Sequence, residues 1–249
     1  MNNQMQASLS IPSLGHFPYQ DEITTGTTLI AVEYKDGVIV GTDSRTSSGS
    51  FIASRATDKI TPISKQVVAC RCGSAADTQA VADMVKYTLD VHELTNEEVT
   101  TVSFAANEFR KILFNNRGTL SAALIIAGYD KQLGGQVYAI PSGGVLTRQA
   151  VTALGSGATY VHTYLDSNWR PNLTREQCIW LVRSAVYLAT SRDGCSGGVI
   201  RIAAIDESGT ERFLYRPDIG KFPDLARPQS YLGILEGFKG HELKEELIM

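Results

Sequence analysis

Four hydroxyls surround a single glycine in Thr24-Thr25-Gly26-Thr27-Thr28, immediately before the apolar run Leu29 to Val32. A threonine hydroxyl is a weak nucleophile unless a base stands beside it, and one residue supplies both groups if its own α-amine is free. An α-amine has a pKa of about 7.7 to 8.0, so near neutral pH much of it can take the hydroxyl proton, directly or through a water. Thr27 fits that role only once the Gly26–Thr27 bond is cut. Gly26 lets the Thr27 hydroxyl come close to the preceding carbonyl, and the residues before it then become a blocking segment. The alternative is that these threonines are β-prone residues opening a strand.

Other nucleophile systems find little support. His16, His92, His162 and His241 form no constellation with Ser or Cys, which argues against a Ser-His or Cys-His mechanism. Cys70, Cys72, Cys178 and Cys195 show no C-x-x-C and no zinc spacing. They are expected to be reduced thiols of a cytoplasmic or nuclear protein, with no metal and no organic cofactor. A net charge of -3 and the absence of an Arg-rich, aromatic-interleaved run argue against a nucleic-acid partner. No stretch approaches the roughly 20 apolar residues of a membrane span, so no membrane partner is expected. Met1 to Gly26 contains neither Lys nor Arg, unlike a secretory or transit peptide.

The elements that would position Thr27 follow from patterning. Length allows one large domain or two small ones. Residues 1–25 are rich in Asn, Gln, Ser and Pro and are expected to be a flexible leader. Thr28 to Tyr34 and Val38 to Ser44 flank Lys35-Asp36-Gly37, a hairpin signal. A second pair is expected at Lys59 to Pro62 and Val67 to Cys72. Ser74-Ala-Ala-Asp77 resembles a capping box ahead of Ala80, Val81, Met84, Val85 and Thr88 at helical spacing, and Val102, Ala105, Ala106, Phe109 and Leu113 repeat it. Strands are expected in LSAALIIAGYD, QVYAIP and VTALG. Thr174 to Gln177 caps a further helix with Cys178, Leu181, Val182, Ala185 and Ala189 on one face, and VIRIAAI and TERFLY return to strand. The order strands, two helices, strands, helix, strands suits two packed sheets covered by helices. Ser230 to Met249 differs in character and reads as a contact arm or a poorly ordered tail.

TTLIAVEYKDGVIVGTDSRT, TDKITPI, RCGSAADTQA, LGSG and RDGCSGG, in this order, resemble a proteasome β-subunit precursor from Thr27 to about Pro223. The resemblance implies an α+β fold, the four-layer αββα sandwich of the N-terminal-nucleophile hydrolases, with residues 1–26 a propeptide, 27–223 the catalytic domain and 224–249 a C-terminal extension. It implies autolysis after Gly26, a catalytic cluster of Thr27, Asp43 and Lys59, and Ser156, Asp193 and Ser196 orienting the amine. Gly73 matches the oxyanion-hole position. Thr46, Ser47 and Ala75 match positions whose main chain pairs with an extended substrate. The implied partners are other α and β subunits in stacked heptameric rings and unfolded polypeptide substrates.

Physical roles can be given beside the resemblance. An ammonium at Lys59 favours an alkoxide-like Thr27 hydroxyl and lowers the pKa of the nearby amine, while Asp43 keeps Lys59 charged; the bland alternative is a surface ion pair. Arg71 matches the base of the primary pocket, where a guanidinium suits a carboxylate side chain, with Thr57 on a neighbouring wall; this resembles the caspase-like, post-acidic type of subunit. Strand alternation sets Arg71 opposite Cys70 and Cys72 and leaves open which face is inward. Two other readings stand beside the protease: a ring member with the fold but no turnover, and an amidase of the same fold acting on a small molecule.

Overall fold

Two five-stranded antiparallel sheets dominate the molecule, seen in a computed structural model that describes residues 26–217. The leader at 1–25, the domain limit at Pro223 and the C-terminal extension at 224–249 lie outside the described residues. β1 (Leu29–Tyr34) and β2 (Gly37–Thr42) form the hairpin expected around Lys35-Asp36. β3 (Thr46–Ser48) and β4 (Phe51–Ser54) pair as a separate ribbon with a bulge between Thr46 and Ser47. β5 (Ile60–Pro62) and β6 (Val67–Gly73) follow, then α1 (Ala75–Asn96), α2 (Val102–Asn115), β7 (Ala122–Asp130), β8 (Gly134–Ile140), β9 (Thr147–Arg148) and β10 (Val151–Leu154). The described chain closes with α3 (Ala158–Asn168), α4 (Arg175–Arg192), β11 (Ile200–Asp206) and β12 (Gly209–Tyr215).

The first sheet runs β10-β1-β2-β11-β12 and the second β5-β6-β7-β8-β9. Both faces of their central strands are apolar, and each face meets a different partner. Leu29, Ala31, Val38 and Val40 of the first sheet pack against Ile60, Val68, Ile125 and Val137 of the second. Ile30, Val32 and Ile202 point the other way, onto Val161 and Leu165 of α3 and Leu181 and Val182 of α4. Val67, Ala69, Leu124 and Ile126 meet Val81 and Val85 of α1 and Phe109 of α2. This double coverage accounts for strands that read as near-continuous apolar runs.

Helix phases agree with the sequence for α2 and α4 and differ for α1. Val102, Ala105, Ala106, Phe109 and Leu113 are all buried, as are Cys178, Leu181, Val182, Ala185 and Ala189. On α1 the buried face is Thr78, Val81, Ala82, Val85 and Leu89, while Ala80, Met84 and Thr88 are exposed. Two adjacent apolar stripes compete on this helix, and the sheet takes the one that places Val81 and Val85 over β6 and β7. Ser74 Oγ accepts from the Asp77 amide, but Asp77 accepts from the Ser121 amide, so only half a capping box forms. α4 carries the complete box between Thr174 and Gln177.

α3 is absent from the expected order and is a correction to it. Its residues are rich in Thr, Tyr and Val, weak helix formers, and its N-cap Gly157 makes no side-chain cap. Packing supplies what propensity lacks, through Ala158, Val161, Tyr164 and Leu165 against the first sheet and α4. Phe109 is fully buried at the α2 contact. Phe109→Ala is expected to cost about 3–5 kcal/mol, read as a lowered thermal midpoint.

Candidate active site

Thr27 is brought to the site by β1, which begins two residues later between β10 and β2. The Leu29–Leu154 register between β1 and β10 delivers Gly155-Ser156-Gly157 directly against Thr27. This approach leaves no room for side chains: a Cβ on Gly155 would lie 2.0 Å from the Thr27 carbonyl oxygen, and one on Gly157 1.9 Å from Thr28 Oγ1. Both glycines are required by close contact, and Gly155 also by its φ of +95°.

Lys59 Nζ is 3.0 Å from Thr27 Oγ1, 2.7 Å from Asp43 Oδ1 and 3.4 Å from the Gly26 carbonyl oxygen. Its three donors are therefore all directed at the Gly26–Thr27 junction or its counter-ion. Thr27 Oγ1 itself donates to the Gly26 oxygen at 2.7 Å. Asp43 is fully buried and accepts from the amides of Thr28, Arg45 and Gly197 as well as from Lys59. This is a buried, fully hydrogen-bonded ion pair. Burial pushes the Lys59 ammonium down against the upward pull of Asp43, and leaves it below the ordinary lysine value.

A second polar group meets Thr27 from the other side. Thr27 N donates to Ser156 Oγ at 3.1 Å, and Ser156 Oγ donates to Asp193 Oδ2 at 2.6 Å. Ser196 Oγ donates to the same oxygen at 2.7 Å and lies 2.7 Å from Thr28 Oγ1. Burial raises the Asp193 carboxyl, but the hydrogen bonds from Ser156 and Ser196 outweigh it and hold the group below its usual range. Asp193 is thus an anion that fixes two hydroxyls, one of them on the Thr27 nitrogen.

A cavity of about 110 Å³ opens beside Thr27 and is lined by Lys59, Arg71, Gly73, Ala75, Thr46 and Thr57, among others. Cys70 and Cys72 face the space between the sheets, so Arg71 projects to the α1 side, where this cavity lies. The Arg71 guanidinium donates to the Asp58 carbonyl oxygen, while the Asp58 carboxylate is taken by Arg212. Among the described residues no carboxylate forms an ion pair with Arg71. Thr46 Oγ1 donates to Thr57 Oγ1 at 2.8 Å, which fixes one wall. Ser47 is buried, faces Ile52 in the ribbon and does not line the cavity. Gly73 ends β6 with φ of +109°, a conformation that favours glycine.

Three participants escaped sequence reasoning. Arg45 lines the cavity, holds the Gly194 carbonyl oxygen and lies over Gly197, so it braces the loop that carries Asp193 and Ser196. Cys72 hydrogen-bonds Thr27 and the Gly73 backbone; burial pushes its thiol up despite nearby Lys59. Cys195 lies against Gly26. All three stand within quoted motifs, GTDSR, RCGSAADTQA and RDGCSGG, but none of them was given a role there. His92 stacks on Phe104 and His162 is exposed, away from the cluster. The four cysteines are free thiols, and among the described residues no group of His, Cys, Asp or Glu could hold a metal ion. Among them, too, no helix is long and apolar enough to cross a membrane.

The family profile described as "Proteasome subunit" matches residues 23–205, most of the chain. The chain belongs to the proteasome β-type subunit family. "Proteasome subunit beta type-6" of Dictyostelium discoideum is 46% identical over 190 residues, covering 76% of this chain and 89% of that one. "Probable proteasome subunit beta type-1" of Schizosaccharomyces pombe is 44% identical over 197 residues, with 79% and 87% covered. "Proteasome subunit beta type-9" of Homo sapiens is 43% identical over 211 residues, with 84% and 96% covered. For this β-type subunit the helices and antiparallel sheets agree with the α+β class expected from sequence.

Proposed function

We propose that the chain is a catalytic β subunit of the proteasome core particle, an N-terminal threonine endopeptidase that matures by cutting after Gly26. The observation that carries this reading is Lys59 Nζ, buried and ion-paired to Asp43, standing 3.0 Å from Thr27 Oγ1 and within reach of the Gly26 carbonyl oxygen. In maturation, Thr27 Oγ1 bonds to the Gly26 carbonyl carbon, the bond to Thr27 N breaks, and the hydroxyl proton ends on that nitrogen. The result is an ester. Water then adds to the ester carbon, releases the Gly26 carboxyl and restores the hydroxyl, now beside a free amine. Lys59 meets the negative charge that develops on the Gly26 oxygen.

In turnover, that amine takes the Thr27 proton while the hydroxyl attacks a substrate carbonyl; the peptide C–N bond breaks, the departing amine carries off that proton, and water then cleaves the resulting ester to release the acid product and restore the hydroxyl. Ser156 and Asp193 orient the amine, and the Gly73 N–H is the oxyanion donor, worth about 3 kcal/mol. No metal or organic cofactor enters this chemistry. Thr46, Ser47 and Ala75 supply main-chain pairing to an extended substrate. The three apolar interfaces, helix pair to sheet, sheet to sheet and sheet to helix pair, support the four-layer αββα sandwich. The proposed partners are α and β subunits in heptameric rings and unfolded polypeptides, in cytoplasm and nucleus, with 1–26 as propeptide, 27–223 as the catalytic domain and 224–249 as an extension.

Specificity follows from the uncompensated Arg71 guanidinium, which suits a Glu or Asp side chain before the scissile bond. Arg71→Leu in the assembled particle is expected to lower kcat/KM on peptides ending in Glu about 100-fold and to raise it on peptides ending in Leu. Unchanged preference for Glu would remove Arg71 as the selector. A peptide series varied before the scissile bond also separates an endopeptidase from a small-molecule amidase.

A further inference from the structure

Gly26 has a neighbour that the nucleophile chemistry does not use. A Cβ built on Gly26 would fall 1.7 Å from Cys195 Cβ, 2.7 Å from its Cα and 2.8 Å from its carbonyl carbon, and these are its three nearest contacts. Gly26 also lines the cavity that holds Arg71 and Thr57, yet a side chain at residue 26 would be driven into Cys195, which does not line that cavity. Cys195 is anchored, since its amide donates to Asp193 Oδ1 at 3.0 Å, and Asp193 holds Ser156 and Ser196. Arg45 adds a brace by taking the Gly194 carbonyl oxygen at 2.7 Å. The wall is part of the catalytic loop.

We infer that Cys195 is a positioning residue for self-cleavage, selecting glycine at residue 26 and seating its carbonyl beneath Lys59. This rests on the self-cleavage reading above and adds a separation of specificities. The maturing bond is read by Cys195, whereas a substrate side chain is read by Arg71. A subunit that cuts after acidic residues then has no means of accepting an acidic residue before its own nucleophile.

The test uses the full-length chain isolated in its native assembly, with the fraction beginning at Thr27 followed by intact mass. Gly26→Ala and Gly26→Asp are each expected to slow self-cleavage about tenfold or more, because either added side chain meets a braced wall. Cys195→Gly should recover part of the rate lost in Gly26→Ala, the rest being held back by the Cys195 main chain. Gly26→Asp maturing as fast as wild type would overturn the inference, since residue 26 would then use the Arg71 pocket, and this variant leaves Cys195 untouched. A Cys195→Gly change that restores nothing to Gly26→Ala also overturns it. Wild-type chain retained with Met1 in the assembled particle overturns the self-cleavage reading itself, and this role with it.

Discussion

Thr27→Ala is expected to abolish both maturation and peptide hydrolysis, with turnover falling on the order of 10^6-fold, the scale on which loss of an activated hydroxyl acts. The physical reason is that Oγ1 is the atom to which Lys59 and the Gly26 carbonyl are both directed, at 3.0 and 2.7 Å. No neighbouring group replaces it. The Cys72 thiol hydrogen-bonds Thr27 but is raised by burial and so held as the poorly nucleophilic thiol. Stability should change little, by about 1 kcal/mol, because alanine loses a hydroxyl without opening a core cavity. The check is post-acidic peptide hydrolysis together with intact mass, where the variant should keep its leader and still assemble. Activity within tenfold of wild type would remove Thr27 as nucleophile.

Lys59→Met should have the next largest effect, lowering maturation and turnover by about 10^2 to 10^3-fold each. Methionine keeps much of the chain length and none of the charge, so Asp43 would remain buried with three backbone amides and no counter-ion. Breaking a buried pair in this way costs about 3–5 kcal/mol, so the thermal midpoint should fall as well. Arginine is no safe substitute, since its planar fork differs in shape from a single ammonium.

The lowered pKa of Lys59 gives this prediction a pH signature. Catalysis that needs the ammonium is lost as pH rises through that lowered value, so the alkaline limb of the activity profile should begin below 10.5. Stability moves the opposite way. A depressed folded-state pKa means the unfolded chain binds the proton more tightly, so this contribution is fullest above the unfolded value and falls as pH drops through the folded one. Wild type and Lys59→Met should therefore differ in alkaline activity and in the slope of thermal stability with pH. An identical alkaline limb in both would show that Lys59 does not carry it.

Much of the scaffold was legible because its signals are local. Lys35-Asp36-Gly37 marks one turn, and Val102 to Leu113 and Cys178 to Ala189 mark helix faces whose burial agrees with the pattern. α1 was found but rotated, since Met84 and Val85 both read as apolar and only the sheet decides between them. α3 was hidden because Thr, Tyr and Val give it strand-like composition while Val161 and Leu165 meet partners far away in sequence. β3 is short and polar, and β4, though apolar in Phe51, Ile52 and Ala53, is only four residues long and largely exposed, so neither carries a readable periodicity.

The site divides in the same way. Thr27, Asp43 and Lys59 were named through motif register, yet their meeting depends on β1 and β2 pairing and on Lys59 entering β5 beneath them. Ser156 and Asp193 are far apart in the chain and meet only because β10 joins the first sheet beside β1. The face of Arg71 was undecidable from alternation alone and follows from Cys70 turning into the space between the sheets. Cys195 sits within RDGCSGG, yet its role could not be read there, since its significance lies in a contact with Gly26 across most of the chain.

The most direct test of the nucleophile assignment is the intact mass and N-terminal sequence of this chain taken from its native assembly. A chain beginning at Thr27 is predicted, with the amine free beside Ser156 and the hydroxyl beside Lys59. A chain still beginning at Met1 in a fully assembled particle would contradict the account, because the base it requires would then remain an amide.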